Sequence, residues 1–313
     1  MPKEIQPELS EVVGAQSQKT IVNYSNMLTR LRKALLDETP IKDVSEDKII
    51  ETIKGLDVPA TSKNSMLNVA IVIKKYHDLD IKKLLKFREH LAGDSFDESK
   101  VKDDALLSRG ITLKKLTDYM NGAYEDGDWV KYIVNYLLLT FQTRNEDLDL
   151  RIITNRKQMV DGKYNWLLVN KTICIYTRND YKTVETYGIK KNIIRNPKFV
   201  DSAQNILGDK DSDYLLKTGD SHIIPTELNR AVSNLTYDKI GSTKYFKIMA
   251  TTKKNIEKMA DNRGTDPNTI LHNYKLDKKV NLKKRGASSN SSTTSGGKKK
   301  DDDDIVLDII HLE

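Results

Sequence analysis

Cysteine is almost absent from this chain. Cys174 stands alone among 313 residues. That excludes an internal disulfide framework and any cysteine-built zinc site, and it makes a reducing compartment the expected setting. The five histidines are scattered, with no HExxH and no other paired-ligand spacing. No P-loop occurs, no GxGxxG follows a strand, and there is no Gly-x-Ser-x-Gly elbow. These absences remove the common nucleotide, zinc and serine-hydrolase chemistries. No apolar run approaches the roughly 18 residues of a membrane span. The opening MPKEIQPELSEVVGAQ has no apolar core of a secretory signal. Neither a metal, an organic cofactor nor a membrane partner is expected.

What is present is polar and basic. Apolar residues make up 38% and charged residues 31% of the chain, with a net charge of +7. Such a chain reads as soluble, and its charge permits a polyanionic partner. The length allows two domains with cores of their own.

Residues 1–14 read as a disordered N-terminus. From Ser17, a plausible N-cap, SQKTIVNYSNMLTRLRKALLDETP places Ile21, Tyr24, Leu28, Leu31 and Leu35 on one helical stripe that Pro40 stops. VSEDKIIETIKGLD is a second helix. Ser45 caps it, Glu46 and Asp47 sit at its positive end, and Gly55 closes it. TSKNSMLNVAIVIKKYH puts Met66, Val69, Ala70, Ile73 and Tyr76 on one face, and DIKKLLKFREHL is a fourth helix. Together they predict an all-α unit over 15–92. The polar, acidic stretch 93–105 reads as a linker.

A second unit is expected over 106–285. TLKKLTDYM and DWVKYIVNYLLLTFQ are helical, the second nearly all apolar and so buried. YNWLLVNKTICIYTRNDYKTVETYGI is rich in Val, Ile, Thr and Tyr, with turn residues at Asn170 and Asn179-Asp180. It predicts a small antiparallel sheet. KFVDSAQNIL, IPTELNRAVSNL, STKYFKIMATT and KKNIEKMADN then return to helix, with Pro225 at a first helical turn. The fold class is therefore mainly α with a small antiparallel sheet (α+β). Residues 286–304, GASSNSSTTSGGKKKDDDD, cannot bury a core and read as disordered, while 305–313, IVLDIIHLE, are apolar again.

The chemistry-bearing residues are cations and one phenol. Arg144 follows the buried helix and precedes NEDLDL, a further helix with Asn145 as its cap. Taken alone, Arg144 equally suits bonding to helix-end carbonyls or pairing with Glu146. Lys182 lies in or near a turn of the sheet, where a lysine also serves as an edge guard. Lys244 and Lys247 share one helical face, an arrangement that is usually just solvated. Tyr274, in TILHNYKLDKK, either packs or attacks.

The order of these pieces resembles the tyrosine recombinase (phage-type integrase) family over roughly residues 15–280. KTIVNYSNMLTRLRK and TSKNSMLNVAIVIKKY look like its core-binding domain. LLLTFQTRNEDLDL is similar to its TGLRxSELxxL box, DYKT to the segment of its sheet lysine, and ILHNY to its closing tyrosine segment. The resemblance implies that Arg144, Lys182 and Tyr274 are catalytic. The family's second box, His-x-x-Arg, falls on KYFK, so Lys244 stands for the histidine and Lys247 for the arginine. Its later LGH falls in NRGTDP. Gly264 fits, Thr265 takes the histidine's place, and Arg263 and His272 are nearby candidates to compensate.

What the resemblance implies is a site-specific recombinase that cleaves and rejoins double-stranded DNA through a 3′-phosphotyrosine. The alternative is a catalytically inactive DNA-binding or scaffold protein on the same fold. Phosphate contacts would come from Lys19, Thr20, Arg30, Arg32 and Lys33 on the first helix and from Ser62, Lys63 and Asn64 on the third. The run KLDKKVNLKKR either adds electrostatic grip or is simply solvated. The 305–313 segment either docks on a neighbouring protomer, supporting self-association up to a tetramer on DNA, or folds back on its own domain. The wording of the boxes suits a divergent viral or mobile-element branch. The expected location is intracellular, in the cytoplasm, the nucleus or a viral factory.

Overall fold

The computed structural model describes residues 18–36, 39–159, 164–252 and 255–276, together with Leu9 and Val12. The expectations for Ser17 as a cap, for the basic run past Leu276, for 286–304 and for 305–313 fall outside these residues. The chain divides into two compact units, residues 1–108 and 109–313.

Among the described residues, the first unit consists mainly of four helices: α1 (Gln18–Leu35), α2 (Glu46–Gly55), α3 (Ala60–Tyr76) and α4 (Lys82–Ser108). The three/four spacing seen in the sequence becomes its core. Leu28, Leu31 and Leu35 of α1 are buried with Ile49, Ile53, Met66, Ala70, Ile73, Leu84 and Phe87, and Ile21 and Tyr24 pack at its margin. Tyr76 departs from the pattern. It is 52% exposed, edge-on to His77 at the end of α3. Leu9, inside the stretch expected to be disordered, is buried in this same core.

Ser45 caps α2 as expected, accepting the Lys48 N–H at 3.3 Å. The acids behind it also reach α4. Glu46 accepts the Leu84 N–H at 3.0 Å, and Asp47 pairs with Lys83 at 2.6 Å.

The expected linker at 93–105 is not an irregular connection, because α4 runs straight through it to Ser108. Polarity misled the reading, since a solvated helix has no apolar period to detect. The extension also has a structural partner. Glu98 accepts the Ala60 N–H at 2.8 Å, a helix-start donor that Pro59 has no side chain to satisfy.

The second unit holds α5 (Leu113–Glu125) and the buried α6 (Trp129–Phe141), then β1 (Leu150–Ile153), β2 (Asn165–Val169) and β3 (Cys174–Arg178). α7 (Val184–Tyr187), β4 (Lys190–Ile194), α8 (Pro197–Leu207), β5 (Ser212–Tyr214) and a short hairpin, β6 (Lys217–Thr218) and β7 (Ser221–His222), follow. Four helices close it: α9 (Leu228–Leu235), α10 (Gly241–Thr252), α11 (Ile256–Arg263) and α12 (Pro267–Asn273).

The mainly α, α+β class holds, but the sheet is mixed rather than antiparallel. Its order is β4-β3-β2-β1-β5. β2, β3 and β4 pair antiparallel as expected, whereas β1 lies parallel to β2, with Leu150 opposite Asn165. VETYG, read as strand, is the single turn α7 closed by Gly188. Pro225 lies in the turn before α9, not in its first helical turn; Pro197 and Pro267 are prolines that start helices. Among the described residues no helix is long and apolar enough to cross a membrane.

Candidate active site

The site begins where α6 ends. Gln142 takes a left-handed conformation at φ 51°, which breaks the helix, and its Nε2 donates to the Leu139 and Thr140 carbonyls. Thr143 and Arg144 therefore leave the helix axis and enter a short 3₁₀ turn, Glu146–Leu148. Asn145 does not cap this turn. Its side chain donates to Asn229 at 2.6 Å instead. The backbone before the turn is held instead by Asp147, within it, whose Oδ2 accepts the Arg144 N–H at 2.9 Å.

Asp147 is fully buried, and so is its partner Arg178 at the end of β3, 3.5 Å away. The Tyr176 hydroxyl donates to the Asp147 carbonyl at 2.8 Å. Burial pushes the Asp147 carboxyl above the usual carboxylate range; Arg178, the Arg144 N–H, and the charges of Arg144 and Arg263 pull the other way. This acid lies three residues after Arg144.

The half-buried Arg144 side chain reaches α11's end. Its Nη2 donates to the Gly264 carbonyl at 3.4 Å, and its Nη1 is buried with no hydrogen-bond partner among the described residues. The Thr140 carbonyl is shared by Gln142 and Asn262.

Arg263, the last residue of α11, is 3% exposed. Its Nη1 donates to the Gln142 and Thr143 carbonyls at 3.0 and 3.4 Å, the two residues directly before Arg144. Its guanidinium lies 4.1 Å from the Phe246 ring centroid and 5.3 Å from that of Tyr274. Burial lowers the Arg263 pKa to about 10; the neighbouring Tyr274 hydroxyl counters this, Arg144 adds to it, and Asp147 opposes it.

Tyr274 is the C-cap of α12, a helix that Asp266 caps at its start and Pro267 initiates. The ring is half-buried and edge-on to Phe246, with centroids 4.8 Å apart. Leu276, two residues on, is buried and donates its N–H to Thr251 of α10 at 2.9 Å. The α10 helix therefore carries both a ring against which Tyr274 packs and a hydroxyl that holds the chain beyond it.

Lys182 is exposed in the turn between β3 and α7, where the sequence placed it. Its neighbour Thr183 donates to the Gly264 carbonyl at 2.8 Å. One carbonyl thus accepts from Arg144 and from the lysine-bearing turn. Lys244 is exposed and Lys247 half-buried on α10, on either side of Phe246 in the chain. Thr265 is half-buried and donates its N–H to the Ala260 carbonyl. His272 lies in α12, and its side chain is outside the described residues.

Arg144, Arg263 and Tyr274 are thus gathered, with Lys182 one residue from the shared Gly264 carbonyl. Asp147, Arg178 and Phe246 were missed. Only Asp147 left a sequence signal, as an acid at a fixed offset after Arg144.

In the first unit, Arg30 and Lys33 are exposed on α1 and Arg32 is half-buried; Thr20 is half-buried, and the Lys19 side chain is outside the described residues. Ser62, Lys63 and Asn64 form the half-buried first turns of α3, with Lys63 Nζ donating to the Lys54 carbonyl at 3.0 Å.

No protein-family model, curated protein or solved structure matches this chain.

Proposed function

We propose that this chain binds duplex DNA and that its second unit cleaves and rejoins a strand through Tyr274, as a divergent tyrosine recombinase would. The observation that carries the reading is one arrangement. Tyr274 lies against Arg263, Arg263 bonds the carbonyls leading into Arg144, and the buried Nη1 of Arg144 has no partner among the described residues. A buried donor without a partner costs about 1–3 kcal/mol. A phosphodiester would supply the missing acceptor and the opposite charge.

In this reaction the Tyr274 oxygen attacks phosphorus and gives its proton to solvent water. A Tyr274–phosphorus bond forms as the bond from phosphorus to the 5′-oxygen breaks, and Lys182 supplies a proton to that leaving oxygen. Negative charge builds on the non-bridging oxygens, where a fixed guanidinium stabilises the transition state more than the ground state. The phosphotyrosine retains the energy of the broken diester, so a 5′-hydroxyl attacking it reseals the strand by the reverse steps.

The test is a nicked duplex that traps the covalent species, incubated with wild type and with Tyr274→Phe. A protein–DNA adduct formed only by wild type is the expected result. The burial of Arg263 and the use of its Nη1 on carbonyls favour a second reading, a DNA-binding protein without strand transfer. Salt-sensitive duplex binding with no adduct on any duplex tried would select that reading. Absence of duplex binding at low salt would dismiss both.

A further inference from the structure

We infer that Arg263 is a positioning residue of the transfer reaction, fixing the Tyr274 ring to the loop that carries Arg144 and placing its charge beside the phenol. The inference rests on the proposed reaction and adds a residue to it. The sequence comparison with the family's boxes assigned the second arginine's place to Lys247; the structure puts a guanidinium beside Tyr274 from a different segment, the end of α11.

The geometry uses what an arginine has and a lysine lacks. The planar edge of Arg263 bonds two carbonyls, those of Gln142 and Thr143, while its guanidinium also lies against the Phe246 and Tyr274 rings, 4.1 and 5.3 Å from their centroids. A guanidinium can bond in its plane and stack through its face at once, whereas an ammonium is a point charge with neither plane nor face.

The next residue completes the link. The Gly264 carbonyl accepts from Arg144 and from Thr183 beside Lys182. Two consecutive residues, Arg263 and Gly264, therefore reach the Arg144 loop, the Lys182 turn and the Tyr274 ring. Desolvating a charge to this degree is costly unless it is well paired. The site keeps it buried at 3% exposure, and its lowered pKa reflects that cost. A misplacement of about 1 Å between nucleophile and clamp costs on the order of 100-fold in rate, so the residue that sets this spacing controls the rate without binding DNA.

The experiment uses the full chain and the nicked trapping duplex at saturating concentration. It compares wild type, Arg263→Met, Arg263→Lys and Lys247→Ala for adduct rate across pH, duplex affinity and melting temperature. Arg263→Met keeps an apolar stem beside the rings but carries no charge. We expect it to slow adduct formation about 100-fold with duplex affinity within about threefold of wild type, and its rate to climb more steeply toward high pH, where hydroxide takes over ionisation of the phenol. Arg263→Lys restores about tenfold of that loss by restoring the charge. Lys247→Ala retains more activity than Arg263→Met. An adduct rate for folded Arg263→Met equal to wild type overturns the inference and leaves the proposed reaction standing. So does a parallel fall of rate, affinity and melting temperature with an unchanged pH profile, which would mark a purely structural arginine. A wild type that forms no adduct overturns the reaction and this inference with it.

Discussion

Asp147 holds Arg144 by its backbone: the carboxylate Oδ2 accepts the Arg144 N–H at 2.9 Å while Arg178 approaches the same oxygen at 3.5 Å from the end of β3. A helix end and a strand end are joined through one oxygen. The loop between them therefore has a defined exit direction, and Arg144 is aimed by a bond that does not use its guanidinium. Both charged side chains of the pair are fully buried, so neither can be compensated by water when the other is removed.

Arg178→Met should therefore destabilise the protein by about 3–5 kcal/mol at neutral pH, because it strands a buried carboxylate. The sign of its pH dependence follows from the raised Asp147 pKa. An acid whose folded pKa lies above its unfolded value is accommodated best when neutral, so its contribution is most favourable at low pH and is lost as pH rises through the folded value. The deficit of Arg178→Met relative to wild type should shrink as pH falls toward the ordinary aspartate range. Adding Asp147→Asn should recover most of it. Denaturant unfolding at pH 8 and pH 5 measures this; a deficit under about 1 kcal/mol, or one independent of pH, would mean that the pair is not the anchor described.

Gly264 is a second point where the backbone leaves no choice. Its φ is +60°, and an added Cβ would lie 2.8 Å from Thr183 Oγ1 and 3.0 Å from the Tyr181 ring. The left-handed conformation alone costs a non-glycine residue about 1–2 kcal/mol, and the clash falls on the turn that presents Lys182. Gly264→Ala should lower stability by at least that amount and break the Thr183 bond to the residue 264 carbonyl. If the proposed strand transfer occurs, it should also slow adduct formation more than Thr183→Val, which removes the hydroxyl but leaves the backbone unstrained. Thermal melting and adduct rates decide it, and a Gly264→Ala protein as stable as wild type would contradict this geometry.

The sequence disclosed the helices whose burial is one-sided. Leu28, Leu31 and Leu35 announced α1, and Ser45 with its acids announced α2, because apolar period and cap chemistry are local properties. The α4 extension past Leu91 was hidden because a solvated helix shows no apolar stripe. β1 was hidden because LRII is only four residues long and its parallel pairing to β2 is set by a crossover, not by a hairpin turn. The site followed the same division. The order of segments along the chain proposed Arg144, Lys182 and Tyr274 as candidates. The contacts of Arg263 could not be read in this way, because they are made to the Gln142 and Thr143 carbonyls, more than 100 residues away in sequence, which no local pattern marks.

Cys174 gives a clean pH readout of the sheet. It is fully buried on β3 between Val169 and Ile194, and burial pushes its thiol up to about 12. Here the native state favours the protonated form, so the contribution is intact below the unfolded thiol value of about 8.5 and is lost as pH rises toward the folded one. The loss is at most about 1.4 kcal/mol per pH unit. Wild type should lose about 2 kcal/mol more than Cys174→Val between pH 8.5 and 10, measured by urea unfolding. The native thiol should also resist a thiol-reactive dye until the protein unfolds. Prompt native labelling would show that β3 opens freely.

Lys182 is exposed, yet its turn is fixed through Thr183 to the same carbonyl that Arg144 bonds. If its ammonium protonates the leaving 5′-oxygen, Lys182→Ala should slow adduct formation by about 10²–10⁴-fold, the usual range for a lost general acid. A duplex with sulfur in place of that bridging oxygen separates this role from mere phosphate binding. A thiolate leaves without needing a proton, so Lys182→Ala should cleave the sulfur duplex at close to the wild-type rate. Arg144→Ala should stay slow on both duplexes, because charge on the non-bridging oxygens remains to be stabilised. Equal defects of Lys182→Ala on the oxygen and sulfur duplexes would remove the proton-donor role and leave Lys182 as one more cation facing the DNA backbone.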